Sequence, residues 1–173
     1  MIDFSNIEYL KLGNARQKAF YKLLVKHNIF EKLSEFNPTL VGSVPIGIDI
    51  EGSDLDIICE WRGKMNFINT LKANFSSKHE FLYREVVKNE METVICSFQI
   101  DNVKFEVFGQ NRPIKEQQAY RHLLIEYRIL MEKGEEFMGK IIELKKLGYK
   151  TEPAFAAILC IEGDSYQAIL DLK

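Results

Sequence analysis

Residues 41 to 60 constrain this chain more than any other stretch. They read Val-Gly-Ser-Val-Pro-Ile-Gly-Ile-Asp-Ile-Glu-Gly-Ser-Asp-Leu-Asp-Ile-Ile-Cys-Glu. A Gly42-Ser43 pair is followed by a loop with two more glycines and then by an apolar strand that carries Asp54 and Asp56. Side chains on a strand alternate with a period of two, so the two aspartates share one face, with Cα atoms roughly 7 Å apart, while Leu55 and Ile57 point the other way. That spacing suits a divalent cation. Where a strand runs into a glycine turn, backbone N–H groups can face one concavity and hold phosphate oxygens without a charged side chain.

Around this stretch the chain divides by pattern. Asn14 caps an expected helix over 14–26, with Ala15, Ala19, Phe20, Leu23 and Leu24 at helical spacing. A second short helix over 29–36 ends at Asn37-Pro38, because proline disfavours helical angles in the residue before it. Short strand Thr39 to Val41 leads into Gly42-Ser43, and strand Leu55 to Glu60 is followed by a helix over 64–75. Strands are expected over 81–88, 92–100 and 103–108, the last two joined by Asp101-Asn102, a two-residue turn that tolerates positive φ. On the last strand Val103, Phe105 and Val107 share one face and Lys104 and Glu106 the other, which makes Glu106 a third candidate acid.

After Arg112-Pro113 the pattern is helical. Helices are expected over 114–132, over 135–147 beyond a break at Gly134, from Glu152-Pro153 with Thr151 as cap, and over 165–172 beyond Gly163-Asp164. The fold class is therefore α+β: a mixed sheet flanked by helices over residues 1–112, and a C-terminal helical region, 113–173, packed on it. The pair Lys145-Lys146 and the run Lys133 to Glu136 read as solvated helix surface.

Composition narrows the function classes. The chain has 173 residues, 46% of them apolar, enough for a core, and a formal charge of -2, which lacks the basic footprint that duplex DNA demands. Cys59, Cys96 and Cys160 lack the spacing of a disulfide framework or a zinc knot and fit reduced thiols in the cytoplasm. The first ten residues do not look like a signal peptide, and no run approaches the length of a membrane span.

The order Gly-Ser, spacer, Asp-x-Asp and a third acid on a later strand resembles the DNA polymerase β-like nucleotidyltransferase superfamily, including its minimal and antibiotic-modifying members. More narrowly, the string from Pro45 to Cys59, with Ala119-Tyr120-Arg121-His122, Glu126-Tyr127-Arg128 and Lys150-Thr151-Glu152-Pro153-Ala154-Phe155, resembles a bacterial group known as domain of unknown function 4269. The superfamily resemblance implies transfer of a nucleoside monophosphate from a nucleoside triphosphate, ATP first among them, to an acceptor: a small molecule, a protein or an RNA end. It implies Mg²⁺ or Mn²⁺ on Asp54, Asp56 and Glu106, with Glu106 alternatively taking the acceptor proton, and triphosphate binding by Gly42 and Ser43, with Ser53 beside them. Oxygen-only ligands agree with a hard cation.

The loop departs from that pattern. Many superfamily members carry a base about where Ile46 stands, whereas this loop holds Asp49 and Glu51 and no Lys or Arg before Asp54. Arg62, Arg121 and Arg128 are the candidates to supply the charge, although the seven-residue spacing of Arg121 and Arg128 on one helical face fits salt bridges better than phosphate binding. An alternative therefore stands beside the enzyme: a non-catalytic nucleotide- or protein-binding module with the same fold, antitoxin-like in role. His122 reads as a packed or surface histidine and Tyr120, Tyr127 and Phe155 as core; Glu126 and Glu152 are candidates to touch the site, Glu152 most simply favouring its helix N-terminus, and Trp61 is an exposed, core or base-stacking ring.

Overall fold

The computed structural model describes residues 2–88 and 90–172. Helix α1 (Ala15–Lys26) starts at Asn14, whose side chain accepts from the Gln17 N–H while the Gln17 side chain accepts from the Asn14 N–H, a reciprocal capping box. Helix α2 (Ile29–Lys32) stops short of the expected end, and 34–36 continue as a separate tight turn before Asn37, whose φ of 49° ends the helical course. Then come β1 (Thr39–Val41), β2 (Leu55–Glu60), α3 (Lys64–Phe75), β3 (His79–Lys88), β4 (Met91–Ile100) and β5 (Val103–Gln110). Asp101 and Asn102 both take positive φ, as their turn requires.

The five strands form one sheet in the order β1-β2-β5-β4-β3. Among the described residues only β2 and β5 pair in parallel, which demands a long connection, here supplied by α3 and the β3–β4 hairpin. The remainder is α4 (Gln118–Lys146), α5 (Thr151–Leu159) and α6 (Ser165–Leu170). Gly134 interrupts α4 with φ 77° and ψ −170°, a conformation open to glycine, and so separates the two helical stretches as the sequence predicts. Thr151 is not a cap: Lys150 holds that position, and the Thr151 hydroxyl accepts instead from Lys145 Nζ at 3.1 Å.

The alternation of each strand divides its side chains between two cores. Leu55, Ile57, Phe105 and Val107 pack against α1, α2 and α3 with Phe20, Leu24, Phe67 and Phe75, and Phe75, Phe98 and Phe105 stack with centroids 4.5 and 5.1 Å apart. On the opposite face, Val41 and Ile58 join Ile46, Ile48, Leu123, Leu130, Ile141, Phe155 and Ile169. The C-terminal helices are thus bonded by apolar contact to the face that carries the acids. Trp61 is buried in the first core, so its indole is a packing group. Among the described residues no helix is long and apolar enough to cross a membrane. Cys59, Cys96 and Cys160 are free thiols.

Candidate functional site

Strand register sets the first half of the site. Asp56 stands directly opposite Glu106 in the parallel β2–β5 pair and opposite Val41 on its other side. Leu55 pairs with Phe105, so the residues before them, Asp54 and Lys104, lie side by side, and Lys104 Nζ donates to Asp54 Oδ2 at 3.0 Å. Asp54, Asp56, Lys104 and Glu106 consequently share one face, turned toward the C-terminal helices. Gly42 is fitted to this arrangement: its φ is +75°, and a Cβ there would lie 2.6 Å from Asp56 Oδ2.

These acids line an open cavity of about 810 Å³. Gly42, Ser43, Ser53, Asp54, Asp56 and Glu106, all six residues singled out from the sequence, line it together. The loop between β1 and β2 is strapped from α1. Gln17 Nε2 donates to the Val44 and Pro45 carbonyls at 2.9 and 3.2 Å, and an Arg16 terminal N–H donates to the Ile50 carbonyl at 2.8 Å. The Ile50 N–H donates to Ser53 Oγ at 2.9 Å, so that hydroxyl closes its own turn and keeps its proton for another partner.

Burial raises the Asp56 carboxyl to about 7, with repulsion from Glu106 and Asp54 adding to it and Lys104 and Lys145 opposing it. Lys104 is raised by its bond to Asp54. Among the described residues no three His, Cys, Asp or Glu side chains meet closely enough to enclose a metal ion ready-made. The donor set still fits a divalent cation: the neighbouring carboxylates repel one another, and Asp56 is backed by a glycine that leaves room for its oxygen.

The loop acids separate in role. Asp49 is turned inward, its side chain 1% exposed and paired with Arg16 Nε at 2.5 Å, so it belongs to the loop's scaffold. Glu51 is exposed and lines the cavity. The bases expected to offset them are elsewhere: Arg62 lines a separate small pocket, Arg121 is exposed, and Arg128 donates to the Leu172 carbonyl at 3.3 Å. The cavity draws its positive charge instead from Lys88, Lys104, Arg112, Lys145 and Lys150.

Lys145 is the correction with most consequence. Expected as solvated surface, it is 7% exposed, and it follows Phe137 and Ile141 at four-residue steps along the buried stripe of α4. That stripe was the signal in the sequence: a lysine placed where the period calls for an apolar residue. Burial lowers its pKa, while Glu126, Asp49, Glu152 and Asp56 all favour its charge. His122 and Glu126 sit on the same stripe nearer its start, and both line the cavity. His122 is packed, as expected, with Nε2 2.8 Å from the Tyr166 carbonyl and Nδ1 3.6 Å from Glu152.

Comparison with solved structures follows this architecture. The Cid1 poly(U) polymerase with Mg 3'-dATP bound superposes with a TM-score of 0.55 at 11% identity, covering 90% of this chain and 48% of that one. The GLD-2/RNP-8 complex gives 0.52 at 12% identity over 83% of this chain and 56% of that one. The polymerase core of TRAMP, an RNA surveillance complex, gives 0.51 at 10% identity over 91% and 49%. This chain spans about half the length of these structures. At such identities the likeness is one of fold, and the fold is that of the polymerase β-like nucleotidyltransferases. No curated protein matches the chain in sequence. Over residues 22–172 it matches the family described as Domain of unknown function (DUF4269), and the chain belongs to that family.

Proposed function

We propose that the protein is a Mg²⁺- or Mn²⁺-dependent nucleotidyltransferase that moves a nucleoside monophosphate from a nucleoside triphosphate, ATP first among them, to an acceptor. The observation that carries this reading is the register pairing of Asp56 with Glu106, with Asp54 two residues before Asp56 on one cavity-lining face. Asp54, Asp56 and Glu106 would hold the cation. When bound, the cation supplies neutralisation of charge on the reacting phosphate and on the departing pyrophosphate.

The chain's own groups do the rest by positioning. Gly42, Ser43 and Ser53 offer backbone and hydroxyl donors to the triphosphate where the β1 turn meets the cavity, and Lys104 and Lys145 offset part of the negative potential of a site that is otherwise acidic. The acceptor oxygen attacks the α-phosphorus as the bond to pyrophosphate breaks, and its proton passes to Glu106 where that carboxylate is not taken by the cation, and otherwise to solvent. Helices α4 to α6 would form the wall facing the carboxylates and so enclose the acceptor. The Asp54–Lys104 pair favours a second reading, a module that holds nucleotide without turnover, because the ammonium competes for a carboxylate that catalysis needs.

Calorimetric titration with ATP, with and without Mg²⁺, on wild type and the Asp54→Ala/Asp56→Ala variant tests the first reading. Binding is expected to require Mg²⁺ and to weaken by about a hundredfold when both aspartates are removed. Binding indifferent to metal or to the aspartates sinks it. Labelled triphosphate incubated with cell extract then separates transfer from binding alone, since a module without turnover labels nothing.

A further inference from the structure

The cavity has a second acidic wall, away from the β2–β5 face, that nucleotide chemistry leaves unexplained. Glu126 of α4 is 2% exposed, and its Oε1 has no hydrogen-bond partner among the described residues. Glu152 of α5 stands beside it closely enough that each carboxylate acts on the same buried lysine and Glu152 raises the Glu126 pKa. A buried carboxyl without a partner either takes up a proton, the direction in which burial moves Glu126, or keeps its charge only where a cation or donors reach it.

The groups facing this pair compensate it only in part. Lys145 donates to Thr151 Oγ1 at 3.1 Å, and its single charge is shared among Glu126, Asp49, Glu152 and Asp56. The His122 ring donates from Nε2 to the Tyr166 carbonyl at 2.8 Å, and its Nδ1 stands 3.6 Å from Glu152, beyond hydrogen-bond length. Lys150 is exposed at the rim. A triphosphate that engaged Lys145 would draw away part of what compensation there is. Tyr166, 45% exposed, sets an aromatic ring at the same edge, a surface that favours cations.

We propose that Glu126 and Glu152 form a subsite for a cationic group, an ammonium or guanidinium carried by the acceptor. Under the nucleotidyltransferase reading, on which the word acceptor rests, the substrate class becomes amine- or guanidine-bearing compounds. The subsite itself is defined without nucleotide.

Nα-acetylarginine methyl ester and spermidine serve as probes, with Nα-acetylcitrulline methyl ester as the neutral isostere of the former, titrated calorimetrically into the full chain without nucleotide. At least one cation is expected to bind wild type saturably, and the isostere about fivefold more weakly or worse. Glu126→Gln and Glu152→Gln are each expected to weaken the cation by about fivefold or more, while exposed Glu116→Gln leaves it unchanged. No saturable binding of either cation, an isostere bound within fivefold, or less than a fivefold loss in either variant overturns the proposal. Thermal melting checks the Glu126 variant, and should it not fold, Glu152→Gln, at a carboxylate open to the cavity, decides alone. Parallel titration with Mg²⁺-ATP keeps the two readings apart: loss of nucleotide binding in wild type counts against the transferase and leaves the cation result standing.

Discussion

Asp56 concentrates the site's electrostatics in one carboxyl. Its folded value is pushed up to about 7 from an ordinary 3.8, chiefly by burial and then by Glu106 and Asp54. A carboxyl raised by folding favours the protonated native state, so its contribution to stability is complete below about pH 4 and is lost as pH rises through about 7. In chelator, the unfolding free energy is therefore expected to fall between about pH 4 and 7, by an amount on the order of 4 kcal/mol, read as a falling thermal midpoint. Asp56→Asn should flatten that fall, leaving the part due to Glu126, which burial raises in the same direction. Thermal melts across pH, with and without Mg²⁺, check this, and an unchanged slope in Asp56→Asn refutes it. The acid trio was legible in the sequence because strand alternation gives its face directly. Lys104 was visible on the same face as Glu106, yet its pairing with Asp54 was not, since register between β2 and β5 is a tertiary fact. Asp49 misled for the same reason: nothing local in the loop announces Arg16 as its partner.

At the scale of elements, strands and long helices followed their periodicity, and the departures fall at ends and breaks. The helix expected over 29–36 splits, and Thr151 yields its capping place to Lys150, because its hydroxyl is taken by Lys145 from a neighbouring helix. The stripe of α4 carries His122, Glu126 and Lys145 among apolar residues, and this mixture was misread as surface at its C-terminal end. Packing of α3 on the sheet depends on Gly109 of β5. A Cβ there would lie 2.2 Å from Phe67 Cε1, and Phe67 is wholly buried. Gly109→Ala is expected to destabilise by about 1–3 kcal/mol or more through overpacking, read as a lower urea midpoint with little change in slope. A midpoint equal to wild type would show that α3 can shift freely against β5.

Across the whole molecule, two apolar cores meet at the sheet, one under α1 to α3 and one under α4 to α6. Val41 and Ile58 belong to the second core, while their neighbours Leu40 and Ile57 belong to the first, so β1 and β2 are shared between them. Phe105→Ala and Phe155→Ala, one in each core, are each expected to remove about 3–5 kcal/mol. Both should lower one common transition, seen alike by near- and far-ultraviolet circular dichroism. Two separated transitions in Phe155→Ala would show that the helical part unfolds independently. The pairing of Asp56 with Glu106 also has a bearing on time. β4 and β5 meet through a two-residue turn, but β2 waits for β5 across α3 and a full hairpin. During synthesis the chain therefore carries Asp54 and Asp56 harmlessly apart from their third partner, and the repulsion among the carboxylates arises only at that last, slow ring closure.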